Sequence, residues 1–243
     1  MKYKAIVSYK GRAYFGFQRQ STLPTIQGTI EEILSFLLGE TTLIKGAGRT
    51  DAGVNALGQV ICFSSPKEIE ITKFLGAVNR LLPNDISFCS LETVNEDFDP
   101  RHSAALKKYR YCISLGDKDP LRCDEEWQLL NRKFSLSAYK KALSLFVGCH
   151  DFKNFTTKSQ DIKSFIRVVD SITVSKEDGL VVAEFIGNGF MTYMVRLMVG
   201  AAAKVGFGSL PLSYIEEKLS MKNRLISSFK APAAGLTLLE VKY

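Results

Sequence analysis

The chain reads as an α+β protein built from two similar halves, and three observations predict this. Apolar residues alternate at period two in some stretches and recur at helical spacing in others. These stretches run in the order β-α-β-β-α-β, and a second pass of the same kind begins after Pro100. No low-complexity linker separates the passes, so the cleft between two rigid halves is the natural place for a ligand. The composition agrees, since 243 residues with 46% hydrophobic and 23% charged side chains can bury a substantial core.

The first strand spans Tyr3 to Tyr9, where Tyr3, Ala5, Val7 and Tyr9 share one face. A Gly-rich, aromatic loop leads to a helix marked by Ile26, Ile30, Ile33, Leu34, Leu37 and Leu38, with Thr25 as its N-cap and Gly39 as its stop. Short β-rich stretches at Thr42 to Lys45 and Gln59 to Ser64 follow. Phe74, Leu75, Val78, Leu81 and Leu82 then predict a helix ending before Pro83, and Ile86 to Val94 reads as a strand. This order is that of a ferredoxin-like split unit, in which two helices cover one face of an antiparallel sheet. The second pass comprises a strand from Ala104 to Leu115, a helix from Leu136 to Phe146, and strands at Phe165 to Ser175 and Leu180 to Phe185 joined through Glu177-Asp178-Gly179. A helix from Phe190 to Val205, a short helix near Leu212 to Leu219 and a strand at Leu236 to Val241 complete it. The expected halves are residues 1–103 and 104–243.

The 32 Lys and Arg against 25 Asp and Glu leave a formal charge of +7, which suits a polyanionic partner such as nucleic acid or an anionic membrane surface, and charge alone does not choose between them. The longest apolar stretch, Phe190 to Val205, is broken by Arg196 and Lys204 and is too short to span a bilayer. The first ten residues lack the apolar block of a signal peptide, so a cytoplasmic protein with no membrane partner is expected. Cys62, Cys89, Cys112, Cys123 and Cys149 include no C-x-x-C pair and read as reduced core residues. His102 and His150 are isolated, so no metal site is expected.

The segment Gly46-Ala47-Gly48-Arg49-Thr50-Asp51-Ala52-Gly53-Val54 sets one carboxylate among glycines, two residues after an arginine. Small residues let the backbone approach a ligand, and a nearby guanidinium keeps a carboxylate ionised, so Asp51 reads as a nucleophile in a tight loop. An ordinary Asp-containing turn accounts for the same letters. Glycoside hydrolysis needs a second carboxylate that this loop lacks. Arg196 lies among Met191, Tyr193, Met194, Val195, Leu197, Met198 and Val199, where a buried guanidinium needs an anion; Asp51 is a candidate, and a snorkelling surface arginine is the alternative. In Lys107-Lys108-Tyr109-Arg110-Tyr111 the two tyrosines share a face, with Lys108 and Arg110 on the other. This suits stacked bases and phosphates, or a plain core strand. Phe98-Asp99-Pro100-Arg101-His102 forms a constrained basic turn able to touch a sugar-phosphate backbone, or simply a connection between halves.

These residues carry a resemblance that runs nearly end to end. Tyr9-Lys10-Gly11, Phe15 to Gln20, Gly48 to Val54, Gly58-Gln59-Val60, Leu82 to Ile86, Phe98 to Ser103, Tyr109-Arg110-Tyr111, Asp151-Phe152, Met194-Val195-Arg196 and Gly235-Leu236 resemble the tRNA pseudouridine synthase A family, which isomerises uridine in the anticodon arm. The resemblance implies two tandem ferredoxin-like halves whose antiparallel sheets join across a basic cleft, a homodimer that grips one tRNA, and no cofactor. It implies that Asp51 is the nucleophile and that Arg196 pairs with it. Arg49 would stand where the target nucleotide turns out, and Tyr109 would pack on the uracil. Phe98, Asp99, Pro100, Arg101 and His102, with Ser159, Gln160, Asp161, Ile162 and Lys163, would contact RNA. The chain departs from the family pattern at Asn55, where histidine is usual, at Lys10, where aspartate commonly precedes Gly11, and at Lys163-Ser164, where an Arg-Thr pair is frequent. The rival classes are a non-catalytic RNA-binding module or tRNA chaperone, and a phosphate-cradling nucleotide enzyme. The absence of a Gly-Lys-Ser or Gly-Lys-Thr ending weakens the latter.

Overall fold

The computed structural model describes residues 1–130, 133–157 and 164–243, and shows a mixed α and β fold that divides into two compact units. Met1–Ala105 with Thr237–Tyr243 forms the first unit, and Leu106–Leu236 the second.

In the first unit, β1 (Lys2–Tyr9), β3 (Asn55–Ser64) and β4 (Ile86–Val94) lie in the order β4-β1-β3, all antiparallel; the two-residue β2 (Lys45–Gly46) also pairs with β3. Tyr3, Ala5, Val7 and Tyr9 are all buried, as the period-two spacing predicts. Helix α1 (Ile26–Leu38) begins where the Thr25 hydroxyl accepts the Gly28 N–H at 3.1 Å. It ends where Gly39, at φ 72°, donates its N–H to the Ser35 carbonyl at 3.0 Å, a left-handed stop that glycine adopts without strain. Buried Glu31 on α1 accepts from Arg19 Nε, from Gln27 Nε2 at 2.8 Å and from the Ile44 N–H at 3.0 Å, tying the helix to the chain on either side. Helix α2 (Ile71–Leu81) is capped by Glu70 and packs against α1 and β4. The last strand of the chain, β10 (Leu236–Lys242), closes this unit by pairing in parallel with β3, Thr237 opposite Asn55.

The second unit has strand order β5-β9-β8-β7, from β5 (Leu106–Ser114), β9 (Leu180–Gly187), β8 (Ile166–Glu177) and β7 (Gly148–Asp151). A two-residue strand, β6 (Trp127–Gln128), lies beside β5. Asp178 and Gly179, at φ 45° and 78°, make the two-residue hairpin turn between β8 and β9. Helices α3 (Leu136–Ser144) and α4 (Met194–Gly206) pack together, and α5 (Ser213–Ser220) follows.

Two expectations need correction, and some short elements were not foreseen. Helix α4 starts at Met194 rather than Phe190, because Tyr193 adopts a left-handed backbone (φ 61°) that no α-helix continues through. The short strands β6 and β7 and a 3-10 turn at Lys153–Phe155 carry too few residues to show a period. Of the cysteines only Cys62 and Cys112 are buried, while Cys89, Cys123 and Cys149 are exposed. On β4, for instance, Phe88 takes the inward position, so its neighbour Cys89 must face outward. Among the described residues no helix is long and apolar enough to cross a membrane.

Candidate functional site

In the first unit, the chain from Gly48 to Val54 runs as an irregular loop between β2 and β3. Gly53 sits at φ 78° and the Val54 N–H returns to the Asp51 carbonyl at 3.1 Å, which closes a tight turn around the carboxylate. Asp51 is partly buried. Directly before it, the buried Thr50 is held from both sides: its carbonyl accepts the Phe17 N–H at 3.0 Å and its hydroxyl meets the Tyr9 hydroxyl at 2.8 Å. Gln59, fully buried on β3, donates through Nε2 to the Gly48 carbonyl at 3.0 Å and to the Tyr9 hydroxyl at 3.4 Å. Tyr9, Thr50 and Gln59 therefore form a polar floor linking two strands to the loop. Burial pushes the Tyr9 hydroxyl up to about 12, so it stays protonated and available as a donor.

Two close approaches shape the same loop. Gly16, at φ 97°, faces the Thr50 carbonyl and the Ala52 N–H, where an added Cβ would lie 3.1 and 3.3 Å away. A Cβ on Gly11 would fall 2.2 Å from the Val54 oxygen, so only glycine fits there. The Gly11 N–H is accepted at 2.9 Å by Oδ1 of the buried Asn55. Through this bond the Asn55 amide oxygen joins the loop after β1 to the start of β3. Arg49, on the exposed side, donates to Gln18 Oε1 at 2.8 Å.

The Phe98–His102 turn belongs to the same unit. Asp99 Oδ1 accepts the N–H groups of Arg101 and His102, each at 2.9 Å, and lies 3.3 Å from His102 Nδ1, while Oδ2 is 4.0 Å from Lys45 Nζ. The backbone N–H donors hold the Asp99 carboxyl below its usual range. The Pro100 carbonyl accepts from the Tyr243 hydroxyl at 2.9 Å, and the Phe98 and Tyr243 rings lie 5.1 Å apart with Lys4 over both. Arg101 and His102 project into solvent from a turn anchored beneath them.

In the second unit, Tyr109 on β5 is buried and meets Phe190 edge-to-face, with ring centroids 5.2 Å apart. Lys108, on the opposite face, bonds Glu184 of β9 at 2.9 Å. Arg196, in the first turn of α4, is only 8% exposed, which removes the surface alternative. Its Nε donates to the Ala231 carbonyl at 2.9 Å and its guanidinium lies 5.2 Å from the centroid of the Tyr193 ring. Phe190 and Tyr193 both sit on the short connection from β9 to α4, so this connection serves Tyr109 and Arg196 alike. Residues 159–163, expected to contact RNA, lie outside the described residues.

Comparison with known proteins is decisive at this point, because residues 5–103 and 142–243 match the family described as tRNA pseudouridine synthase. The chain belongs to that family. It is 36% identical over 241 residues to tRNA pseudouridine synthase A of Coprothermobacter proteolyticus, covering 99% of this chain and 92% of the relative. It is 35% identical over 240 residues to tRNA pseudouridine synthase A of Acetivibrio thermocellus, covering 99% and 98%. To the protein of the same name from Streptococcus mutans it is 36% identical over 247 residues, covering 100% and 99%.

Within this member of the pseudouridine synthases, the first unit gathers Arg49, Asp51 and the Phe98–His102 turn, and the second gathers Tyr109 and Arg196. Sequence reasoning missed the Tyr9, Thr50 and Gln59 floor and the part played by Tyr193. The available signal for the floor was Tyr9 at the last inward position of β1, a hydroxyl where the preceding period-two positions call for core.

Proposed function

We propose that this chain converts uridine to pseudouridine in the anticodon stem-loop of tRNA, with Asp51 as the nucleophile. The observation that supports it most directly is the Asp51 turn itself, where the loop carrying this partly buried residue is braced through Thr50 and Gly48 by Tyr9 and Gln59, in a chain that belongs to the family over most of its length. Binding anionic RNA alone gains nothing from such a carboxylate. The reaction breaks the C1′–N1 bond, turns the uracil and joins C1′ to C5; the C5 proton leaves and N1 gains one, so the product is an isomer and no redox cofactor is required. Asp51 begins it by attack on C1′, by attack on C6 or by removal of a ribose proton. Arg196 keeps Asp51 ionised, Arg49 acts where the nucleotide turns out of the stem, and Tyr109 supplies a ring for the extruded base, offsetting an unstacking cost of a few kcal/mol.

The finer architecture belongs to the same proposal: two tandem ferredoxin-like halves, their sheets joined across a basic cleft, in a homodimer that grips one tRNA. The strand orders β4-β1-β3 with β2 beyond β3, and β5-β9-β8, support the repeated plan. Phe98–His102 and residues 159–163 then contact the RNA backbone. Incubating the protein with unmodified tRNA transcripts and mapping pseudouridine at single-nucleotide resolution tests the reading. Asp51→Asn should abolish conversion and leave tRNA affinity within about twofold; turnover by that variant refutes the role of Asp51.

A further inference from the structure

The entrance to α4 holds an arrangement that the reading of Arg196 does not use. Tyr193 takes φ 61° and ψ 3°, a left-handed backbone that a side chain with a Cβ seldom adopts and that persists where surroundings enforce it. Its carbonyl nevertheless accepts the Leu197 N–H at 2.9 Å, so the residue is part of the first helical turn rather than a loose end. The left-handed step redirects its Cβ, and the ring comes under two cations: the Arg196 guanidinium at 5.2 Å and Lys230 Nζ at 4.2 Å from the centroid. Two like charges oppose each other, and an electron-rich ring face offsets that by attracting each of them. Arg196 is held on its other side as well, since its Nε donates to the Ala231 carbonyl at 2.9 Å while the Ala231 N–H returns to the Arg196 carbonyl at 3.0 Å. Gly200, one turn on, lets that segment lie close, because a Cβ there would meet the Phe229 oxygen at 2.0 Å.

We propose that Tyr193 is a positioning residue whose left-handed backbone aims its ring at Arg196 and holds the guanidinium in the single orientation that serves catalysis. This rests on the reading of Arg196 and Asp51 given above. The ring carries the effect, since its contact to both cations is through the π-face. Tyr111 also faces Arg196; its hydroxyl donates to the Pro232 carbonyl and stays protonated through burial.

Two variants separate positioning from folding. Tyr193→Gly removes the ring yet takes the left-handed backbone without strain; Tyr193→Phe keeps the ring and removes the hydroxyl. The single-turnover rate is followed from about pH 3.5 to pH 8, a range that spans the ordinary aspartate limb, alongside tRNA affinity. For Tyr193→Gly the expected result is a fall in kcat of about tenfold or more with affinity within about twofold. The acidic limb should also move up by about half a pH unit or more, because a displaced guanidinium no longer favours the charged carboxylate. Tyr193→Phe should match the parent. A glycine variant with the parent's kcat and acidic limb overturns the proposal, as does an equal loss in the phenylalanine variant. Should the glycine variant fail to fold, Tyr193→Asn, which also tolerates this backbone, is read by the same criteria. Failure of the parent protein to form pseudouridine is a different result, refuting the function reading itself, and an active Asp51→Asn protein refutes the role of Asp51 alone.

Discussion

Replacing Tyr9 by phenylalanine removes one oxygen atom from the floor of the Asp51 loop, and the structure allows the consequences to be sized. The Thr50 hydroxyl loses its 2.8 Å partner, and Gln59 Nε2 keeps only the Gly48 carbonyl. Gln59 is fully buried, and its Oε1 already has no hydrogen-bond partner among the described residues, so the amide has no spare bond to fall back on. Leaving buried polar groups short of partners costs about 1–3 kcal/mol, and a value near 2 lowers the midpoint of a chain of this size by about 4–8 °C. The loop also loses the contact that fixes the residue before Asp51. A misplacement of about 1 Å at a reacting group costs up to about a hundredfold in rate, so kcat should fall about 10- to 100-fold while tRNA affinity holds. Differential scanning calorimetry and single-turnover conversion measure the two effects. The Tyr9 hydroxyl also carries a sign in pH. Burial raises it in the folded protein to about 12 from 10, so its contribution is complete below pH 10 and is lost as pH rises towards 12. The stability gap between parent and variant should therefore narrow in that window. A midpoint within about 1 °C of the parent, with unchanged kcat, would refute the bracing role.

Gly11→Ala should lower stability by about 3 kcal/mol, read from the urea midpoint, because its Cβ meets backbone at 2.2 Å and no side chain can yield. Asn55→Ala orphans the buried Gly11 N–H and should cost about 1–3 kcal/mol by the same assay. Asp99→Ala releases the N–H groups of Arg101 and His102, so tRNA affinity should fall while single-turnover kcat at saturating tRNA is kept. The Asp99 carboxyl sits below its usual range, so its stabilising effect should be present at neutral pH and disappear only as pH falls below about 4, which an acid titration of the turn by NMR would follow. Affinity for tRNA should decline steeply and log-linearly with salt, measured by filter binding, as phosphate contacts require.

Much of the fold was legible because local chemistry announced it. Thr25 and Gly39 mark both ends of α1, Pro83 limits α2, and Asp178-Gly179 specifies the hairpin turn. What escaped depended on contacts distant in the chain or on backbone states that no apolar spacing encodes. The start of α4 is such a case, since Phe190 and Met191 continue the apolar run while Tyr193 breaks the helix by its φ. Asp51 stood out through its glycines and Arg49, yet its support did not, because Tyr9 and Thr50 meet across 41 positions. Asn55 is instructive in another way: its amide oxygen accepts a buried N–H from Gly11, 44 positions earlier, a partner that no local spacing announces.

The parallel pairing of β10 with β3 has a bearing on how the molecule comes into being. Thr237 and Leu238 lie beside Asn55 and Ala56, and the Leu239 carbonyl approaches Gly58 so closely that a Cβ there would be 2.3 Å away. During synthesis the ribosome must finish residues 106–236 before this strand can reach its place. Until then the start of β3 at Asn55 and Ala56, just beyond the Asp51 loop, lacks this partner and is a template for any passing chain. Maturation of the loop is thereby tied to a strand translated after the whole second unit.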